Sequence, residues 1–221
     1  MPTALVAGAT GLVGRRLVTL LLDANSYDRV HVLGRRSTGI ADERLAEHEV
    51  DFEGLAGSGP SIGRVDHAFC ALGTTIRAAG SKAAFRRVDH DFVLAMAECA
   101  KAAGARSFVT VSSLGADPSS GNFYLRVKGE TERDLAALGL PRLVILRPSL
   151  LTGDREEFRA GERAGKIVLE LVSPLLIGRL RRVRPVSDVE VARAMLRLAA
   201  GSGEGTRIVE SEEIRRIAVC G

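Results

Sequence analysis

Tryptophan is absent and aromatic residues make up only 4% of the 221 residues. The net charge of +4 comes almost entirely from arginines interleaved with acids, with no long basic block carrying interspersed aromatics. That argues against a nucleic-acid surface. Cysteine is scarce. Cys70, Cys99 and Cys220 form an odd set without C-x-x-C spacing, which argues against a disulfide framework or a zinc site and for a reducing, intracellular compartment. Cys70 and Cys99 read as small buried apolar side chains. His31, His48 and His67 have no acid or cysteine at ligand spacing, so no metal site is expected. Long hydrophobic runs are also missing: the longest apolar stretch, Ile167 to Gly178, is too short to span a bilayer and contains Glu170 and Pro174. With the first strand expected at the very start of the chain and no signal peptide before it, the expectation is a cytoplasmic protein with no membrane or nucleic-acid partner.

Glycine is plentiful, with 24 residues, and three of them organise the N-terminus. The run Ala4 to Ala7 reads as a strand and Leu12 to Leu22 as an amphipathic helix, with GATGLVG between them. Gly8, Gly11 and Gly14 fall at G-x-x-G-x-x-G spacing. In a strand–turn–helix unit the first makes the turn, the second lets a pyrophosphate approach the main chain, and the third lets helix pack on strand. The helix start then presents free N–H groups to the phosphates. A second strand, Val30 to Leu33, ends at Gly34-Arg35-Arg36, where an NAD-binding fold usually carries an acid for the ribose 2′-hydroxyl. Two guanidinium groups pair with a 2′-phosphate instead, so the reading is NADP(H) in preference to NAD(H).

Further strands are predicted at His48 to Phe52, Asp66 to Leu72, Arg106 to Val111 and Leu143 to Leu146, with a late one at Arg207 to Glu210. Asp51 and Phe52 are placed near the adenine. Gly73-Thr74-Thr75 ends the fourth strand with small and hydroxyl residues suited to the ribose and phosphates. Ser81 is expected to cap a long helix to about Ala103, stopped by Gly104, with Phe85, Val88, Phe92, Met96 and Cys99 on its core face. Asp89, His90 and Asp91 read there as a polar helix face at least as readily as a site. Ser187-Asp188 caps a last helix, Val189 to Ala200. The alternation implies an α/β, Rossmann-type doubly wound parallel sheet with helices on both faces, in one domain over residues 1–221. A small C-terminal extension at about 150–200 is expected to form a substrate-side cap. Within it, the arginines from Arg179 to Arg184 are weighed as an anion site or a solvated face.

Tyr124 and Lys128 stand four apart on a predicted helix and so share one face. An ammonium beside a phenol stabilises the phenolate, which lets the tyrosine give a proton to a carbonyl oxygen or take it back. Ser113, at the end of the preceding strand, can hydrogen-bond the same oxygen. Lys128 can also hold the nicotinamide ribose.

GATGLVG, the Ser-Ser pair followed by Y-x-x-x-K, and the RPS segment after the sixth strand resemble the short-chain dehydrogenase/reductase superfamily. CALGTT, FRRVDHDFVL, VSSLGAD, SSGNFYLRVKGE, LRPSLLTGDREEFR and RPVSDVEVARAML are similar to its atypical, Tat-interacting, oxidoreductase-like group of NADP(H)-binding proteins. The resemblance implies that Gly8, Thr10, Gly11, Leu12, Val13 and Gly14 surround the pyrophosphate and that Arg35 and Arg36 meet the 2′-phosphate. It implies that Leu72, Gly73 and Thr74 lie along the adenosine and ribose, and that Pro148 and Leu151 flank the nicotinamide. Ser113, Tyr124 and Lys128 take the catalytic roles, with Ser112 the alternative serine. Asp89 departs from the asparagine by which many relatives hold a water relay to the lysine. The implied activity is NADP(H)-dependent oxidation or reduction of a small alcohol or carbonyl, by a monomer or homodimer. A non-catalytic cofactor sensor is the alternative, and a sugar-nucleotide epimerase or dehydratase a more distant one.

Overall fold

The computed structural model describes residues 1–24, 26–55, 60–152 and 184–219. Seven strands form one parallel sheet: β1 (Thr3–Ala7), β2 (Arg29–Gly34), β3 (Leu45–Glu49), β4 (His67–Cys70), β5 (Ser107–Val111), β6 (Arg142–Arg147) and an edge strand, Gly205–Glu210. Their spatial order is β3-β2-β1-β4-β5-β6 with the edge strand beside β6, every pair parallel. From β1 the chain runs outward first to β2 and β3, then returns to β4 on the other side. The crevice at the carboxyl end of β1 and β4 is therefore the topological switch point where ligands bind in such sheets.

Alternation along the strands divides the core. Ala4, Val6, Val30, Val32, Phe69, Val109 and Val144 face α1 (Leu12–Asp23) and two C-terminal helices, Asp188–Ala199 and Ser211–Val219. Leu5, Ala7, Leu33, Ala68, Cys70, Phe108, Leu143 and Ile145 face the helices between β4 and β6. Strands buried on both faces read as near-continuous apolar runs, which is why β1, β4, β5 and β6 stand out in the sequence. Among the described residues no helix is long and apolar enough to cross a membrane.

Several expected boundaries move. The third strand lies at Leu45–Glu49 rather than His48 to Phe52. It is the sheet edge, with little buried apolar surface to mark it, and its register pairs Gly34 with Glu49, after which Asp51 and Phe52 enter a turn. The helix expected from Ser81 to Ala103 is interrupted. Ser81 caps a short α-helix, Lys82–Arg86, a π-helical turn follows at Arg87–Asp91, and a second α-helix runs from Phe92 to Ala102. A π turn inserts one residue into the helical repeat and rotates the side chains after it, and such turns are frequent at functional sites. The last expected helix is found as Asp188–Ala199, closed at its N-terminus by reciprocal bonds between Ser187 and Glu190. It packs in the core against α1, so this part of the expected 150–200 cap belongs to the body of the sheet; residues 153–183, including Arg179, Arg181 and Arg182, lie outside the described residues. Two residue pairs, Leu151–Thr152 and Val186–Ser187, form a small separate parallel ladder.

Candidate functional site: a dinucleotide crevice ending at a buried lysine

The glycine turn is shaped by contacts that exclude side chains. Gly8 has φ +85°, and a Cβ there would stand 2.5 Å from the carbonyl carbon and oxygen of Ala71. A Cβ on Gly14 would stand 2.0 Å from the Gly8 carbonyl oxygen. The turn closes with the Gly11 N–H donating to that oxygen at 2.9 Å. Gly11 is also the N-cap of α1 and supplies no side-chain cap, so the first-turn N–H groups at Leu12 and Val13 have no capping side chain. Val13 itself is in the core; only its backbone can serve a phosphate. Gly8 and Thr10 border a cavity of about 330 Å³ that continues past Gly34 to Arg35 and Arg36 and is walled by Phe52 and Leu72.

Both arginines are exposed at the rim. The loop that carries them is tied to β3 by Glu47, whose carboxylate accepts from Ser37 Oγ at 2.6 Å, Thr38 N–H at 2.7 Å and Thr38 Oγ1 at 2.5 Å. These bonds hold the Glu47 carboxyl below its ordinary pKa. Phe52 is buried and stacks on Phe92, ring centres 5.4 Å apart. Asp51 is exposed, is not part of the cavity wall, and uses its carboxylate to accept the Glu53 N–H at 3.1 Å. The cradle fits a dinucleotide: glycines where a Cβ would collide, uncapped helix N–H groups, and cations at the far end.

At the other end, α5 (Phe123–Ala137), fifth of the α-helices among the described residues after α1, Ile76–Ala79, Lys82–Arg86 and Phe92–Ala102, carries Tyr124 and Lys128. Asn122 caps it by accepting from Tyr124 N–H at 2.9 Å and Leu125 N–H at 3.3 Å. The Tyr124 ring packs on Phe85, centres 5.4 Å apart. Lys128 is buried, and its Nζ lies 2.8 Å from Asp89 Oδ1. The other Asp89 oxygen accepts the Thr74 N–H at 2.8 Å. Burial opposes the Lys128 charge, but the Asp89 carboxylate and the Tyr124 phenol outweigh it and hold the lysine above its ordinary pKa. Gly73 lies directly over this pair: a Cβ on it would be 3.4 Å from Asp89 Oδ1 and 3.9 Å from Lys128 Nζ. The segment Leu72-Gly73-Thr74 thus joins the cavity wall to the lysine.

Asp89 is 1% exposed and lies inward, not on a polar helix face. The signal was available: it follows the buried Phe85 by four residues and precedes the buried Val93 by four, an acid within an apolar stripe. The π turn is fastened to α5 by further contacts. Thr131 Oγ1 donates to the Asp89 carbonyl at 3.0 Å, His90 Nε2 meets Asp134 Oδ2 at 2.9 Å, and Arg86 pairs with Glu130. Gly129 was also missed. A Cβ on it would fall 2.2 Å from the Asp117–Pro118 peptide, so the residue after Lys128 sets how closely α5 approaches the loop.

The two serines after β5 are used differently. Ser112 Oγ is buried and donates to Glu132 Oε1 at 2.5 Å; Glu132 in turn is forked by Arg147, with contacts of 2.5 to 3.2 Å. Its hydroxyl is consumed by this network. Ser113 is half-buried and makes only a 3.4 Å contact to the Leu114 carbonyl, which leaves its hydroxyl available. Pro148 is buried and its carbonyl accepts the Leu114 N–H at 2.9 Å, which binds the two loops together; Leu151 is half-buried in the small ladder. Cys70 lies in the core with its thiol pushed up by burial to about 11. His67 meets the Tyr27 hydroxyl at 2.7 Å, and His31 meets His48 at 2.9 Å.

Residues 8–173 match a family described as NAD(P)H-binding. Protein HTATIP2 of Rattus norvegicus is 40% identical over 204 residues, covering 90% of this chain and 82% of its own. The mitochondrial protein FMP52 of Coccidioides immitis is 33% identical over 230 residues, covering 99% and 94%. Among solved structures, an oxidoreductase of the short chain dehydrogenase/reductase family from Burkholderia thailandensis superposes with a TM-score of 0.70 at 21% identity, covering 96% of this chain and 92% of that one. The FMP52 relatives, named as mitochondrial, overturn the expectation of a cytoplasmic protein. That expectation rested on unpaired cysteines, which suit any reducing compartment, and on the lack of a signal peptide, which bears only on secretion. With the family match spanning most of its length and a relative at 40% identity, the chain belongs to the NAD(P)H-binding, atypical short-chain dehydrogenase/reductase group that includes HTATIP2.

Proposed function

We propose that this protein is an NADP(H)-dependent oxidoreductase of small carbonyl or alcohol substrates, with Tyr124 as general acid/base. The observation that carries the reading is the position of Lys128: a charged lysine beneath Gly73, coupled electrostatically to Tyr124, at the same sheet edge as the glycine turn. When bound, the reduced dinucleotide supplies a hydride to a carbonyl carbon. Tyr124 gives its proton to the carbonyl oxygen, Ser113 donates a hydrogen bond to that oxygen, and Lys128 steadies the phenol's charge and offers its ammonium to the nicotinamide ribose. Gly8, Gly11 and the N–H groups of Leu12 and Val13 hold the pyrophosphate, and Arg35 and Arg36 hold the 2′-phosphate. The mitochondrial naming of the FMP52 relatives favours that organelle as the setting.

The test is NADPH oxidation across a panel of aldehydes, ketones and quinones, repeated with Tyr124→Phe. Loss of about 10²–10⁴-fold in kcat is expected on removing the acid; unchanged turnover would refute the assignment. One observation favours a cofactor-sensing role: Asp89 engages the ammonium on which the chemistry depends. That reading predicts tight NADPH binding with no oxidation by any member of the panel.

A further inference from the structure

Arg35 and Arg36 follow directly on β2 and line the cavity together with Gly8 and Thr10. The chain folds back between Gly34 and Arg36: a Cβ on Gly34 would stand 3.2 Å from the Arg36 carbonyl oxygen. The next two residues are tied across to β3, where Glu47 pairs with Val32, a residue of the cavity wall. An acid on an exposed edge strand is ordinarily solvated. Here both carboxylate oxygens are taken by one loop. One accepts the Ser37 hydroxyl at 2.6 Å, and the other accepts the Thr38 N–H at 2.7 Å and the Thr38 hydroxyl at 2.5 Å.

The two hydroxyls brace the loop on their other side as well. Ser37 Oγ accepts the Gly39 N–H at 3.1 Å, and Thr38 Oγ1 accepts the Ile40 N–H at 3.2 Å. Thr38 is buried, and Ile40 packs against the core. Each hydroxyl has given its single proton to Glu47, so neither has one left for a phosphate. The arginines are thus held between the bend at Gly34 and a fastened segment, and the fastening converges on one carboxylate.

We propose that Glu47 is a positioning residue for cofactor choice: by tying Ser37 and Thr38 to β3 it holds Arg35 and Arg36 at the rim of the dinucleotide cavity and so sets the preference for the 2′-phosphorylated cofactor. The inference rests on the proposed function, in which those arginines meet the 2′-phosphate. NADPH and NADH share every other group, so only the former uses this rim. A loop fixed in advance loses little freedom when the phosphate arrives, whereas an untied one must be ordered at that moment. In this role Glu47 acts only through the loop, since its own negative charge opposes a second anion.

The test titrates NADPH and NADH into wild type and two variants, following cofactor fluorescence. In Glu47→Ala the Kd for NADPH is expected to rise about 10-fold while that for NADH stays within about twofold. An unchanged Kd for NADPH overturns the proposal. So do like losses for both cofactors, which is what a strand residue with a merely structural role would give. Ser37→Ala combined with Thr38→Val removes the two hydroxyls, keeps the carboxylate, and carries the test alone should Glu47→Ala not fold. It is expected to weaken NADPH selectively by about threefold or more. Wild-type NADPH affinity in this double variant would show that the bonds to the loop do not matter, and overturns the proposal. Equal losses of NADPH and NADH on replacing Arg35 and Arg36 by alanine would sink the reading of the arginines itself. A selective loss there, with none in Glu47→Ala, sinks only the role of Glu47.

Discussion

The two ends of the crevice are built from different materials. The glycine-turn end is made of backbone: glycines without room for a Cβ, a helix start without a capping side chain, and an open cavity with two exposed arginines at its rim. The lysine end is made of buried side chains, Asp89 and Lys128 foremost, held by a π turn and by α5. Backbone geometry tolerates no added atoms but little of its energy depends on charge. A buried ion pair tolerates isosteres but fails when one partner leaves. The contrast sets what each end is sensitive to.

The largest effect is expected where one buried charge is orphaned. Lys128→Met leaves Asp89 buried without its cation, and thermal or denaturant unfolding should show a loss of about 3–5 kcal/mol. A loss below about 1 kcal/mol would mean that the pair contributes no more than a surface salt bridge does. At the glycine-turn end, Gly14→Ala forces a methyl against the Gly8 carbonyl. About 1–3 kcal/mol of stability should go, and dinucleotide affinity should collapse, because the helix start can no longer sit against the turn. Normal NADPH titration of that variant would break the account of the turn.

Replacing Arg35 and Arg36 by alanine should weaken NADPH by about 10- to 100-fold, the loss of charge-assisted hydrogen bonds, and leave NADH nearly untouched. Equal losses for both cofactors would show that the arginines serve the adenosine generally and not its 2′-phosphate. The smallest effect concerns neither end. His31 is held to about 4 by burial, then by His48 and Arg29. Its folded value lies below the ordinary histidine value of 6.5, so the unfolded chain binds more protons between the two. The stability from its neutral form is present above pH 6.5, declines as pH falls, and is gone below about 4. His31→Asn should flatten the pH dependence of unfolding within that window relative to wild type, and an identical profile would count against it.

Most of the architecture was legible because it rests on local rules. Apolar runs buried on both faces mark β1, β4, β5 and β6, and the turn glycines and the Ser187 cap act within a few residues of themselves. The edge strand β3 was misplaced because one side of it lacks a neighbour to impose a pattern. The helix Ser211–Val219 went unread: its buried residues, Ser211, Ile214 and Ala218, make a narrow stripe among charges. Of the site, the glycine turn, the twin arginines and the Tyr124–Lys128 spacing could be read directly. The choice between Ser112 and Ser113 could not be made on chemistry alone, because it depends on Glu132, twenty residues away, consuming one hydroxyl and not the other.

By itself the sequence determined a parallel α/β sheet, its glycine turn and the face shared by Tyr124 and Lys128, since each follows from spacings within one or two turns of chain. Only the tertiary structure decided the electrostatics at the lysine. The partner Asp89 stands thirty-nine positions earlier, and a π turn whose extra residue no spacing rule announces carries it inward. Local pattern fixes which atoms face a cleft; the charge they present there depends on what distant chain is packed behind them.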